Sequence, residues 1–189
     1  MKKIVIRFNA PVILTFALLS LLALLLGNWT DGAATYQYFS VYRSSLSDPL
    51  TYVRFFGHVL GHADYEHYMG NMLLILLVGP GLEEKYGSGT MVWTIAVTAL
   101  VTGLVHFVFF PGSVLLGASG VVFMMIVLSS FTAMRRGEIP ITLILVVIFY
   151  LGGEIMDGLF KQDNISQITN IVGGLCGLVF GFTIRRGRR

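Results

Sequence analysis

The sequence is poor in charged residues and has one cysteine. Charged residues occupy 12% of its 189 positions, about half the share of a soluble domain. The lone thiol, Cys176, excludes a disulfide within the chain and a cysteine-based metal site. Hydrophobic residues make up 55%, and the mean hydropathy is +0.78. These values indicate an integral membrane protein in a lipid bilayer. The basic pI near 9 is explained by basic residues at the helix ends, so we expect no nucleic-acid partner.

Stretches without formal charge predict where the chain crosses the bilayer. The 23 residues between Arg7 and Asp31 are enough to cross a hydrocarbon core of about 30 Å. They are too long for a signal peptide and lack a small-residue cleavage site, so we expect an uncleaved helix from about Pro11 to Leu26. The 49 uncharged residues 86–134 exceed one span, and "FPGSV" at 110–114 divides them into two.

Three further spans complete the pattern. We expect them at about His67 to Pro80, after Pro140 in "ITLILVVIFYLGG", and in "TNIVGGLCGLVFGF" from Thr169. The fold class predicted is therefore all-α, with six transmembrane helices in a single domain over residues 1–189. A cytoplasmic N-terminus places ten of the thirteen basic residues on the cytoplasmic side, as the positive-inside bias requires. We expect both termini in the cytoplasm of a bacterial cell, with the protein in its plasma membrane.

The segment between the first two spans, from Asn28 to Glu66, is unusually apolar for a loop. It contains "YQYFSVY" and "YVRFFGHVLGH". We expect it to lie partly in the outer leaflet as short helices, since irregular backbone at that depth needs protein to cover it.

The motif "GASG", Gly117 to Gly120, places Ser119 between small residues at the start of a span. Small residues let membrane helices pack closely, which is one interpretation. The other is a nucleophilic serine whose oxyanion forms beside backbone N–H groups at a helix N-terminus. The four residues alone do not decide between them.

A second group of polar residues precedes and begins the second span. Arg54, His58 and His62 are spaced by four, as are His67 and Asn71. These side chains could hold a metal ion, stabilise the embedded loop by hydrogen bonds, or donate hydrogen bonds to a developing negative charge. For the metal site, only Asp64 and Glu66 are available to complete the ligands.

The order of these motifs resembles the rhomboid family of intramembrane serine proteases. His67-x-x-x-Asn71, followed by "GLEEKYGSG" and then by Gly117-x-Ser119-Gly120, carries the resemblance. It extends roughly from residue 52 to residue 182. It implies cleavage of transmembrane segments of other membrane proteins near the outer face, with no metal and no organic cofactor.

The resemblance also implies roles for individual residues. Ser119 is then the nucleophile, and its backbone N–H, His67 and Asn71 form the oxyanion hole. Glu83 matches an acidic position that ties the cytoplasmic end of the second helix to its neighbours. Arg54, His58 and His62 keep a structural role in the loop.

The last span departs from the family pattern. Gly173 and Gly177 match its glycines, and together with Gly181 they predict close packing of this helix. The family has its general-base histidine where this chain has Asn170. An amide does not accept a proton at neutral pH, so we expect an inactive or severely impaired protease. His106 is a remote candidate for a substitute base.

Two histories of the position occupied by Asn170, and one further class of function, stay open from the sequence. The chain is either a competent protease altered at Asn170 alone or a settled pseudoprotease that binds transmembrane helices without cleaving them. A membrane transporter would instead show repeated halves or charged residues at mid-membrane depth, and neither is evident in the sequence.

Overall fold

The computed structural model describes residues 9–132, 141–146, 148 and 164–187. These residues are mostly helical and contain no β-strand. The predicted all-α class is therefore confirmed for the described part of the chain. The helices are α1 (Pro11–Trp29), α2 (Ala33–Tyr38), α3 (Pro49–Gly57), α4 (Tyr65–Tyr86), α5 (Ser88–Phe109), α6 (Ser119–Ser130), α7 (Ile141–Val146) and α8 (Asn164–Gly187), with a 3-10 turn at His58–Leu60.

Three of the described helices are long and apolar enough to cross a membrane. They are α1, α5 and the Gln167–Ile184 part of α8. Helix α4 has the length, but it carries charged residues at both ends, and the 12 residues of α6 are short for a span. The structure thus supports an integral membrane protein, while six spans remain a prediction. Six of the thirteen residues of the predicted fifth span, 147 and 149–153, lie outside the described residues.

Two helices extend beyond the spans predicted for them. Helix α4 continues through Pro80 to Tyr86 instead of stopping at the proline. Proline is tolerated in membrane helices because neighbouring groups satisfy the freed carbonyl. Helix α8 begins at Asn164, five residues before the apolar run that marked the span.

Helix α6 forms the centre of the molecule, in contact with α4, α5 and α8. Ten of its twelve residues are buried. Glycines of α8 set its distance from α6: a Cβ at Gly177 would come within 2.5 Å of the Met124 carbonyl oxygen, and one at Gly173 would overlap the Gly120 backbone. Helix α8 therefore packs against α6 almost backbone to backbone.

Buried Glu83 joins α4 to the beginning of α1. Its two carboxylate oxygens accept the backbone N–H groups of Val12 and Ile13, each at 3.0 Å. The Ser88 hydroxyl donates to the same carboxylate at 2.7 Å. No side chain of α1 caps its own N-terminus, so Glu83 supplies both acceptor and negative charge where the helix dipole favours them.

The segment between α1 and α4 is built around buried Arg54. Its Nε donates to the Gln37 carbonyl at 2.8 Å, its guanidinium pairs with Asp48 at 3.1 Å, and it lies over the Tyr42 ring. The segment also exposes apolar side chains, among them Phe56. The loop is therefore fixed by its own polar contacts while it presents apolar side chains at its surface, and its place in the outer leaflet stays a prediction.

Candidate active site

An open cleft of about 590 Å³ lies between α4 and α6. One wall consists of residues from the first turns of α4 and its N-cap, and the other of residues from the first turns of α6. The cleft is lined by Asp64, Glu66, His67, Gly70, Asn71, Leu74, Ser119, Val122 and Phe123. The candidate nucleophile and both candidate oxyanion donors thus share one cavity.

Ser119 is the first residue of α6, where the backbone N–H groups of the first turn have no intrahelical acceptor. The preceding Gly117 has a φ of 124°, which disfavours any residue with a side chain. A Cβ at Gly117 would also come within 2.9 Å of His67 Nε2. Glycine is therefore required here, and it lets the imidazole approach the backbone beside Ser119.

Hydrogen bonds to the loop between α1 and α4 hold the segment before Ser119 in place. Val41 and Leu115 exchange two backbone hydrogen bonds of 2.8 Å each. The Gly117 N–H donates to the His58 carbonyl at 2.9 Å. The loop between α1 and α4 thereby sets the position of the serine.

His67 and Asn71 lie on successive turns of α4. The Ala63 N–H approaches His67 Nδ1 at 3.5 Å, so Nδ1 is the acceptor and the proton belongs on Nε2, which faces Gly117. Asn71 is buried, and its Nδ2 donates one hydrogen to the His67 carbonyl at 2.9 Å. The second amide hydrogen and His67 Nε2–H are available to an oxyanion.

The two other histidines of the loop have different surroundings. Burial lowers the pKa of His58 and that of His62 to about 4, so both are neutral at pH 7. His58 lies between the Arg54 carbonyl and the Thr102 hydroxyl, whereas the His62 ring packs 5.0 Å from the His67 ring. The described residues contain no group of three or more potential ligands placed to hold a metal ion.

Helix α8 meets α6 beside the serine. The Thr169 carbonyl lies 3.4 Å from where a Cβ of Gly120 would be, and a Cβ at Gly173 would lie 2.8 Å from the Gly120 Cα. Asn170 follows Thr169 and is buried. The structure thus places the turn that carries Asn170 against the residue next to Ser119, although Asn170 is not among the residues that line the cleft.

His106 is engaged elsewhere. It is buried on α5, its Nε2 donates to the Ser113 carbonyl at 3.2 Å, and its ring stacks on Phe110. No described contact joins it to Ser119, which leaves the sequence-based idea of a substitute base without structural support.

Two features of the site were missed by sequence reasoning. Thr102 is buried on α5, where its hydroxyl contacts the His58 ring and its methyl group lies beside Gly120. In the sequence, the spacing of four between Thr102 and His106 could have indicated that both lie on one face of α5. Asp64 and Glu66, which the sequence suggested only as metal ligands, line the end of the cleft at the N-terminus of α4, and the Asp64 carboxylate caps α4 by accepting the His67 N–H at 2.7 Å.

Comparison with known proteins supports the resemblance carried by the motifs. The rhomboid domain model matches residues 49–187. The chain is 30% identical over 144 residues to Rhomboid-related protein 1 of Caenorhabditis elegans, covering 69% of the chain and 39% of that protein. It is 28% identical over 164 residues to Rhomboid-related protein 2 of Mus musculus, covering 74% and 53%. The chain spans about half the length or less of these curated relatives. With the domain match covering most of its length, the chain belongs to the rhomboid family.

Proposed function

We propose that the chain is a rhomboid-type serine endopeptidase scaffold for transmembrane segments of membrane proteins, severely impaired because Asn170 occupies the position of the general base. The observation that carries this proposal is the single cleft shared by Ser119, His67 and Asn71. We also propose that the protein lies in a plasma membrane, with both termini in the cytoplasm and this cleft facing the outer side.

The chemistry proposed is acyl transfer to Ser119. Its hydroxyl oxygen attacks the scissile carbonyl carbon, the hydroxyl proton passes to a base, and the carbonyl oxygen becomes an oxyanion. The Ser119 N–H, His67 Nε2–H and Asn71 Nδ2–H then donate to that oxyanion. The loss of one such donor typically costs about 10²–10³-fold in turnover. The proton then goes to the leaving amine, and water later releases the acyl group.

Asn170 limits this sequence of steps at the proton transfer. An asparagine amide can accept a hydrogen bond from the Ser119 hydroxyl, but it does not become protonated at neutral pH. Loss of the histidine in a soluble serine protease lowers turnover on the order of a millionfold. The intact cleft together with Asn170 also favours a second function, in which the chain binds transmembrane helices without cleaving them.

The test is cleavage of a single-span substrate in liposomes. We expect no measurable cleavage by the chain as it stands, cleavage by Asn170→His, and none by Asn170→His/Ser119→Ala. Cleavage by the unchanged chain that Ser119→Ala abolishes would contradict the role given to Asn170. Saturable binding of the substrate without cleavage by any variant would support the pseudoprotease function instead.

A further inference from the structure

We infer that the cleft selects transmembrane segments that carry basic residues on the outer flank of the bond beside Ser119. This inference rests on the proposed function, because it concerns the substrate class of the same site. It is carried by the two carboxylates, Asp64 and Glu66, that line the cleft at the N-terminus of α4, which is its outer end in the proposed topology.

The α4 wall changes from acidic to apolar along the helix. Glu66, Gly70 and Leu74 are spaced by four, so they lie on one face in that order from the outer end of α4 inward. A Cβ at Gly70 would meet no atom within 4 Å, which leaves open space at the middle level. This wall therefore suits a segment that is apolar inside the membrane, small near the reacting bond, and cationic outside.

The two carboxylates are not neutralised by the basic residues described nearby. Asp64 and Glu66 are exposed, and neither forms an ion pair with another described residue. Arg43 donates to the Phe107 carbonyl at 2.9 Å, and Arg54 pairs with Asp48. The negative potential at the outer end of the cleft is therefore available to a bound peptide.

The position of the basic residue follows from helix geometry. Glu66 precedes Asn71 by five residues, which is about 7.5 Å along a helix. An extended peptide rises about 3.3 Å per residue. A Lys or Arg side chain two or three residues from the scissile bond, on its outer flank, would therefore lie level with Glu66.

The experiment measures binding of three fluorescent single-span peptides to the unchanged chain in a non-ionic detergent. The peptides are identical except for Lys-Lys, Ser-Ser or Glu-Glu at the second and third positions outside the expected bond. We expect the Lys-Lys peptide to bind about tenfold more tightly than Glu-Glu at low salt, from two exposed ion pairs. At 1 M salt, where the Debye length is about 3 Å, the ratio should fall towards one.

Matched variants assign the preference to the cleft. Asp64→Asn/Glu66→Gln should reduce the Lys-Lys over Glu-Glu ratio to less than about twofold, with Asn still able to cap α4. Glu66→Lys should reverse the preference. Asp31→Asn, which removes an acidic side chain before α2 and outside this cleft, should leave the ratio unchanged.

Two failures of this experiment are distinguishable. If Asn170→His cleaves all three peptides with equal kcat/KM and the unchanged chain binds them equally, the charge preference is overturned and the protease proposal stands. If the preference disappears equally in Asp31→Asn, a general outer-face potential is responsible and the cleft inference is overturned. If no peptide binds and Asn170→His cleaves none, both proposals fail.

Discussion

Gly173 of α8 lies directly against the backbone of Gly120, the residue after Ser119, so that a Cβ at position 173 would come within 2.8 Å of the Gly120 Cα. The obstructing atoms are backbone atoms, which cannot rotate away as a side chain can. The separation of α8 from α6 at the level of the serine is therefore set by two glycines.

This contact predicts that Gly173→Ala is destabilising. One methyl group would force the two helices apart, and overpacking of this kind typically costs about 1–3 kcal/mol. We expect a lower midpoint in a thermal or denaturant unfolding experiment in detergent.

Gly81→Ala is the matched control for Gly173→Ala, because a Cβ at Gly81 meets no atom within 4 Å. It should be neutral or slightly stabilising, since alanine restricts the unfolded chain. Equal losses of stability in the two variants would show that the α6–α8 contact is looser than the structure indicates.

The Glu83 carboxylate predicts a second stability effect. In Glu83→Gln an NH₂ group replaces one of the oxygens that accept N–H groups from Val12 and Ile13. The buried NH₂ group of the glutamine then faces a backbone N–H group of α1, so that two donors meet without an acceptor. The negative charge at the N-terminus of α1 is also lost. We expect a loss of about 1–3 kcal/mol in the free energy of unfolding.

The neighbouring Glu84 provides the control for that substitution. Its side chain is exposed, so Glu84→Gln removes the same charge without breaking the cap of α1. It should change the free energy of unfolding by less than about 0.5 kcal/mol. If Glu83→Gln is equally mild, the cap is not a significant source of stability.

The buried loop histidines predict a pH dependence of stability. Their pKa values in the folded chain are about 4, below the usual value of 6.5, so the unfolded chain binds more protons between these two values. Stability should therefore be full above pH 6.5 and fall as the pH is lowered from 6.5 to 4. For His58 alone the loss is on the order of 3 kcal/mol at pH 4.

Unfolding midpoints measured in detergent from pH 7.5 to 4.5 test this dependence. The decline should be steeper in the unchanged chain than in His62→Gln, which removes one of the two groups. A midpoint that is constant over this range would mean that the loop histidines are hydrated in the folded protein.

The sequence predicted those features of the fold that depend on local pattern. The break between α5 and α6 follows from "FPGSV", and the glycine spacing of four in α8 indicated its packing face. The continuation of α4 through Pro80 was not predictable from propensity, because membrane helices tolerate proline where neighbours compensate.

Long-range contacts were beyond the reach of sequence reasoning. The backbone pairing of Val41 with Leu115 joins two loops that carry no complementary pattern. The approach of the His67 ring to Gly117 depends on that pairing and on the left-handed backbone at Gly117. Motif order indicated that Ser119, His67 and Asn71 belong together, but the cleft that they share with Asp64 and Glu66 required the structure.

The central claim is that Ser119 is a nucleophile that lacks its base, and the most direct test is its rate of reaction with a fluorophosphonate probe. Intact mass measures the adduct, so no knowledge of the substrate is needed. We predict that Asn170→His forms one adduct, on Ser119, at least about 10³-fold faster than the unchanged chain. Equal labelling rates with and without the histidine, both abolished by Ser119→Ala, would contradict the claim.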